Sequence, residues 1–157
     1  MKNLGFGMMR LPVLSGPTDF DYEQLNQMVD AFLAAGYTYF DTSFVYHEGK
    51  SEEATRKALV ERHLRDSFTV ATKFPTFMLI PEEKIEETFQ SQLDHLGVDY
   101  IDYYLLHNIQ NVYYDGYDGE GGIVKTTHLF DHAKKWKEDG KIRHLGISFH
   151  SSAKLLD

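Results

Sequence analysis

VDYIDYYLLH, residues 98–107, is the stretch on which the reading of the fold turns. It is an apolar, aromatic-rich run of strand length that ends on His107. The segment before it, PEEKIEETFQSQLDHLG (81–97), has Pro at its first turn and Gly after its end, the punctuation of a helix. Working outward, the same alternation repeats. Upstream, SFTVATKF (67–74) reads as a strand, and SEEATRKALVERHL (51–64) as a helix with Ser51 as N-cap and two acids in its first turn. YTYFDT (37–42) is aromatic and Thr-rich, hence a strand. DYEQLNQMVDAFLAAG (21–36) carries a helical stripe of Leu25, Met28, Val29, Phe32 and Leu33, with Asp19 or Asp21 as N-cap and Gly36 as stop. LGFGMM (4–9) is a short apolar run broken by glycines. Downstream, HLFDHAKKWKEDG (128–140) is a helix closed by Gly, KIRHLGIS (141–148) a strand, and SSAKLLD the opening of another helix. Residues 108–127, with Tyr113, Tyr114, Tyr117 and four glycines, form a long loop.

Five strands alternating with four complete helices predict an α/β fold with a parallel sheet covered by helices. Two architectures fit. One is a doubly wound sheet. The other is a (β/α)8 TIM barrel truncated after its fifth strand, since a whole barrel needs eight strands and roughly 250 residues. The run of helix-forming sequence up to Asp157 favours the truncated barrel. No composition shift or linker marks a boundary, so residues 1–157 are expected to be the N-terminal portion of one barrel domain.

The chain has 157 residues, 42% of them hydrophobic and 25% charged, a globular balance. Its formal net charge of −8 disfavours nucleic-acid and anionic-membrane partners, which need a basic face. No apolar run spans a bilayer, and MKNLGFGMMRLPV lacks the apolar core of a signal peptide, so a cytoplasmic location is expected. With no Cys there is no disulfide, thiolate metal site or Cys nucleophile.

Chemistry-bearing residues stand at the C-terminal ends of successive predicted strands: Asp41 followed by Tyr46, then Lys73, His107 and Ser148. A βα barrel gathers such ends at one mouth, where its active sites lie. A phenol, with a reference pKa of about 10, is a poor acid at neutral pH, and a neighbouring ammonium favours its phenolate. Lys73 supplies that charge, Asp41 orients the Lys, and His107 can hydrogen-bond a substrate oxygen. The product is a tuned proton donor, Tyr46, aimed at a carbonyl. None of these side chains carries a hydride, so a cofactor must.

In this order and context, Asp41, Tyr46, Lys73 and His107 resemble the Asp-Tyr-Lys-His tetrad of the aldo-keto reductase family. GFGMMRLP resembles that family's first strand, FDTSFVY its Asp–Tyr signature, SEEATRKAL its next helix, LGVDYIDYYLLH its fourth strand and GKIRHLGIS its fifth. The resemblance implies hydride transfer between NADP(H), with NAD as the alternative, and a small-molecule aldehyde or ketone. It implies Tyr46 as general acid/base, Lys73 and Asp41 as its tuners, and His107 as the group orienting the substrate. Asp41 also falls on the cofactor side, with Gly7 and Met8 at the end of the first strand and Ser148 where the family binds the nicotinamide carboxamide. The sequence departs from the family pattern at His47, where many members have Gly, and at Phe149, where many have Asn. No barrel-floor hairpin precedes Leu4. The GISFH form is bacterial-like, and some bacterial members carry an iron–sulfur extension that this stretch does not contain.

Singly, each residue has a plainer reading: Asp41 as a turn or cap, Lys73 as a surface charge, His107 as a loop-side His, Tyr46 as one of ten tyrosines. Ser148 fits a cofactor contact and a cap of the last helix equally well. His128 and His132 have the i,i+4 spacing of a metal pair but no third ligand in sequence, so an ordinary helix face is expected. Residues 113–122 suit a substrate lid or a simple connector. Two further functions are compatible with the pattern: a metal-dependent barrel hydrolase using Asp41, His47 and His107, and a non-catalytic partial barrel. In the latter, open edges expose unpaired backbone and favour self-association.

Overall fold

The computed structural model describes residues 4–156. Residues 1–3, on which the reading of the N-terminal segment partly rests, and Asp157 lie outside the described residues. Five strands form one sheet: β1 (Gly5–Gly7), β2 (Tyr39–Asp41), β3 (Thr69–Phe74), β4 (Ile101–Ile109) and β5 (Ile142–Phe149). All neighbouring pairs are parallel, in the order β1-β2-β3-β4-β5. That order decides between the two architectures. A doubly wound sheet reverses its strand order at a switch point. Here every new strand adds to the same edge, which is how a barrel grows.

The helices are α1 (Tyr22–Ala34), α2 (Ser51–Thr55), α3 (Glu82–Leu96), α4 (Asn111–Tyr114), α5 (Ile123–Thr126) and α6 (Leu129–Glu138). Asp21, not Asp19, caps α1, accepting a hydrogen bond from Gln24 N at 2.9 Å. Ser51 is not a cap. Lys50 holds the N-cap position of α2, and the Ser51 hydroxyl is fully buried, donating to Met8 O at 3.0 Å. α2 widens after Thr55 into a π-turn over Arg56–Val60, so the predicted single helix to residue 64 ends early. The long loop holds α4 and α5, and the predicted terminal helix is one short 3-10 turn, Ala153–Leu155.

The sheet's two faces follow from the two-residue period of a strand. Even-numbered Phe6, Phe40, Val70, Tyr104 and Leu106 point at the helices and belong to the hydrophobic core. On that side Phe89 of α3 stacks on Trp136 of α6 with centroids 4.0 Å apart, and Tyr104 meets both rings edge-on. Odd-numbered Tyr39, Asp41, Lys73, Tyr103, Leu105 and His107 share the other face, the inside of a barrel wall, and the β4–β5 register, which sets Tyr103 against His144 and Leu105 against Gly146, brings even-numbered Ser148 of β5 to the same face. Two ends of this wall differ in kind. At the N-terminal ends of the strands, buried Asp102 accepts from Arg65 at 2.6 Å, Val70 N at 2.9 Å and Arg143 at 3.4 Å, a knot of charge that ties β3, β4 and β5. The C-terminal ends carry the candidate site. Among the described residues no helix is long and apolar enough to cross a membrane.

Candidate active site

The predicted side chains meet at the C-terminal edge. β2 ends on Asp41, and the chain then turns through 42–45 to Tyr46, whose N–H bonds to Ser43 O at 3.2 Å. Lys73, on β3, has its ammonium almost wholly buried. It donates to Asp41 Oδ1 at 2.6 Å, to Thr42 O at 2.7 Å and to the Tyr46 hydroxyl at 3.3 Å. All three of its protons are therefore engaged. A buried ammonium needs such partners, because an unpaired charge in the interior is costly. Its Nζ also lies 4.8 Å from the Tyr46 ring centre.

His107, on β4, faces Tyr46 edge-on at 6.0 Å and Phe77 at 5.4 Å. Its pKa is lowered to about 4, first by burial and then by the charges of Lys73 and His150, so its imidazole is neutral at physiological pH. Its carbonyl accepts from Thr76 Oγ1, and its Nδ1 lies 3.1 Å from Ser43 Oγ. Met9, Val45, Tyr46, His47, Phe77, His107, Asn108 and His150 line a cavity of about 540 Å³ in front of these groups. One phenol with an ammonium behind it and one neutral imidazole thus front a largely apolar hollow, an arrangement able to hand a proton to a bound oxygen.

Gly7 pairs with Asp41 in the β1–β2 register, and Met8 N donates to the Asp41 backbone carbonyl at 2.8 Å, so both stand beside Asp41 at the end of β1. Ser148 lies inside β5, not at a cap, which removes its capping role. Its Oγ accepts from Asn108 N at 2.7 Å. The β4–β5 register shifts between Leu106 and Ile109, and Asn108 has φ 61, so its N–H is turned out of the ladder and finds the Ser hydroxyl instead. The Ser148 proton remains free to donate.

His47 lines the cavity, but its ring nitrogens are turned to the backbone of another segment. Its Nε2 accepts from Leu11 N at 3.0 Å, and its Nδ1 sits 2.7 Å from Pro17 O, so both nitrogens are spent clasping the 11–17 segment to the Tyr46 turn. The hydrolase set of Asp41, His47 and His107 is consequently not assembled, and no group of three or more His, Cys, Asp or Glu among the described residues is placed to hold a metal. His128 and His132 face Glu82 and Glu86 of α3 across the α3–α6 contact, at 3.2 and 2.7 Å. None of residues 113–122 lines the Tyr46 cavity.

Behind these groups lies a buried polar network around Thr42, Glu52 and Gln92 that no local pattern in the sequence singled out. Thr42 Oγ1 donates to Ser51 Oγ at 2.8 Å. The fully buried Glu52 accepts from Thr72 at 2.6 Å and from Gln92 at 2.8 Å, and its other oxygen meets His95 Nδ1 at 3.2 Å. Gln92 also donates to Lys73 O at 3.1 Å and accepts from Tyr104 at 2.5 Å. The only local signal was the pair of small polar residues after Asp41 and an acid in the first turn of the helix.

The chain matches the model of the Aldo/keto reductase family over residues 3–157. It is 32% identical over 156 residues to aldo-keto reductase yakc (NADP(+)) of Schizosaccharomyces pombe, covering 92% of this chain and 42% of that protein. Its identity to aldo-keto reductase str7 of Strobilurus tenacellus is also 32%, over 99% of this chain and 44% of the relative. Among solved structures, the holo form of an aldo-keto reductase from Bacillus halodurans superposes with a TM-score of 0.67 at 28% identity, covering 93% of this chain and 45% of that one. The chain thus spans under half the length of these relatives. With the parallel order, the shared strand-end edge and the family match in agreement, this chain belongs to the aldo/keto reductase family.

Proposed function

We propose that this chain carries the proton-transfer half of an NADP(H)-dependent carbonyl reductase, with Tyr46 as general acid/base. The observation that carries the reading is the ammonium of Lys73, held at 2.6 Å from Asp41 and 3.3 Å from the Tyr46 hydroxyl at the lip of the cavity. A cation hydrogen-bonded to a phenol oxygen stabilises the phenolate left when the proton goes to a carbonyl oxygen. Asp41 keeps the Lys charged and aimed. His107, neutral and in the same cavity, orients the carbonyl oxygen. A bound nicotinamide supplies the hydride. The residues present fit its carboxamide end: the Ser148 hydroxyl keeps a proton to donate, and Gly7 and Met8 stand beside Asp41 at the C-terminal edge of the sheet. The relative named with NADP(+) supports the choice of cofactor. In the reverse direction the phenolate takes the alcohol proton.

Tyr46→Phe tests this. Turnover of a small aldehyde should fall roughly 10²- to 10⁴-fold, the usual contribution of a positioned acid. NADPH binding, followed by its fluorescence, should stay near the parent value. A Phe variant that keeps its rate would remove Tyr46 from the role.

A further inference from the structure

Ser43 is fully buried, and its hydroxyl has one partner among the described residues, His107 Nδ1 at 3.1 Å. The two residues are 64 positions apart in sequence, and the contact bridges the β2 turn and β4. We propose that Ser43 is a positioning residue that fixes the tautomer of His107, donating its O–H to Nδ1 so that the proton is carried on Nε2 and faces the cavity.

A neutral imidazole has one donor and one acceptor nitrogen, and which is which follows from the bond the other makes. If Nδ1 held the proton, it would donate to Ser43 Oγ. The serine's own proton would then have no acceptor among the described residues, since Ser43 has no surface open to water, and an unmade buried hydrogen bond is expensive. If Nδ1 is bare, the serine donates to it and both groups are satisfied. The proton then sits on Nε2, the ring edge opposite Ser43. Nε2 has no protein partner among the described residues, and His107 lines the cavity. A donor there can hold a carbonyl oxygen, whereas a bare nitrogen would repel its lone pairs.

The same residue serves Tyr46. The Ser43 carbonyl accepts from Tyr46 N at 3.2 Å, closing the turn that presents the phenol. One buried serine therefore sets the aim of both groups that would meet a single substrate oxygen. This explains the small polar residue two positions after Asp41. The inference rests on the reductase reading for its consequence, but not for its test.

The test is nitrogen NMR on 15N-histidine-labelled protein, which separates the Nδ1–H and Nε2–H tautomers. The His107 signals are assigned among the eight histidines by their loss in His107→Gln. The parent should show Nε2–H with a hydrogen-bonded, unprotonated Nδ1. In Ser43→Ala that signature should shift toward a tautomer mixture, kcat/KM for an aldehyde should fall roughly tenfold, and NADPH affinity should hold. A parent showing Nδ1–H overturns the proposal, and so does a Ser43→Ala protein that keeps a pure Nε2–H tautomer. If Ser43→Ala does not fold, the parent spectrum alone decides. A parent with the Nε2–H signature whose aldehyde turnover is unchanged in Tyr46→Phe would refute the reductase reading and leave the tautomer assignment standing.

Discussion

Replacing Glu52 by Gln should remove a pH dependence from the protein's stability while leaving its volume unchanged. Glu52 has no exposed surface, and His95, a third exposed, reaches its Oε2 at 3.2 Å. The pKa of His95 is raised, chiefly by that hydrogen bond, against the opposing effect of burial. A histidine whose folded pKa is raised adds stability that is complete below its unfolded value, about 6.5, and is lost as pH climbs through the folded value. A hydrogen bond to a charged group contributes about 1.5–3 kcal/mol, but water around the His95 ring screens the pair. The pH-dependent share is then about 1 kcal/mol, or roughly 2–4 °C in Tm for a chain of this size. In the Gln variant, Oε1 keeps Thr72 and Gln92, and the new amide donates to a neutral His95. Thermal melts at about pH 6 and about pH 9, spanning the histidine range, should show the parent losing those few degrees more than the variant on going to high pH. Identical pH slopes in the two proteins would refute the assignment of His95 as the titrating partner.

At the opposite pole, Asp102→Ala should cost about 1–3 kcal/mol in urea unfolding, because it leaves the buried Val70 N without its acceptor and removes the carboxylate shared by Arg65 and Arg143. Its effect on kcat should be small once folded, since Asp102 lies at the far end of the strands. Gly122→Ala should disturb residues 113–122, because a Cβ there would stand 2.3 Å from Tyr113 O. A loss of order 1–3 kcal/mol is expected by denaturant titration, and an unchanged midpoint would mean the segment gives way freely.

The helix and strand alternation was legible because each helix carried its own punctuation. Gly36, Gly97 and Gly140 all adopt positive φ where the sequence placed stops. The convergence of Asp41, Tyr46, Lys73 and His107 was legible for a related reason: parallel strands bring their C-terminal ends to one edge whatever their order. The order itself was not legible, since alternation describes a doubly wound sheet as well as a barrel. Local pattern also misplaced β4, which starts at Ile101 because residues 98–100 complete the turn after Gly97. β4 runs past His107 to Ile109 because Ser148, on another strand, accepts the displaced Asn108 N–H. Ser51 looked like a cap from its neighbours, but its hydroxyl is claimed by Met8, 43 residues away. Glu52, Ser43 and Asp102 act through partners 20 to 64 positions distant, which no window of sequence contains.

The three acceptors around Lys73 have a further consequence. Aldehydes and ketones condense with free amines to give imines, so under the proposed function a lysine behind Tyr46 would be exposed to condensation with the substrate. Nucleophilic attack needs a nitrogen lone pair. Here Asp41, Thr42 and Tyr46 hold the nitrogen as a fully occupied ammonium with 5% of the residue's surface exposed. The tripod that holds the cation in place also makes it chemically inert toward carbonyl compounds. Amine-reactive labels should accordingly modify the surface lysines and spare this one.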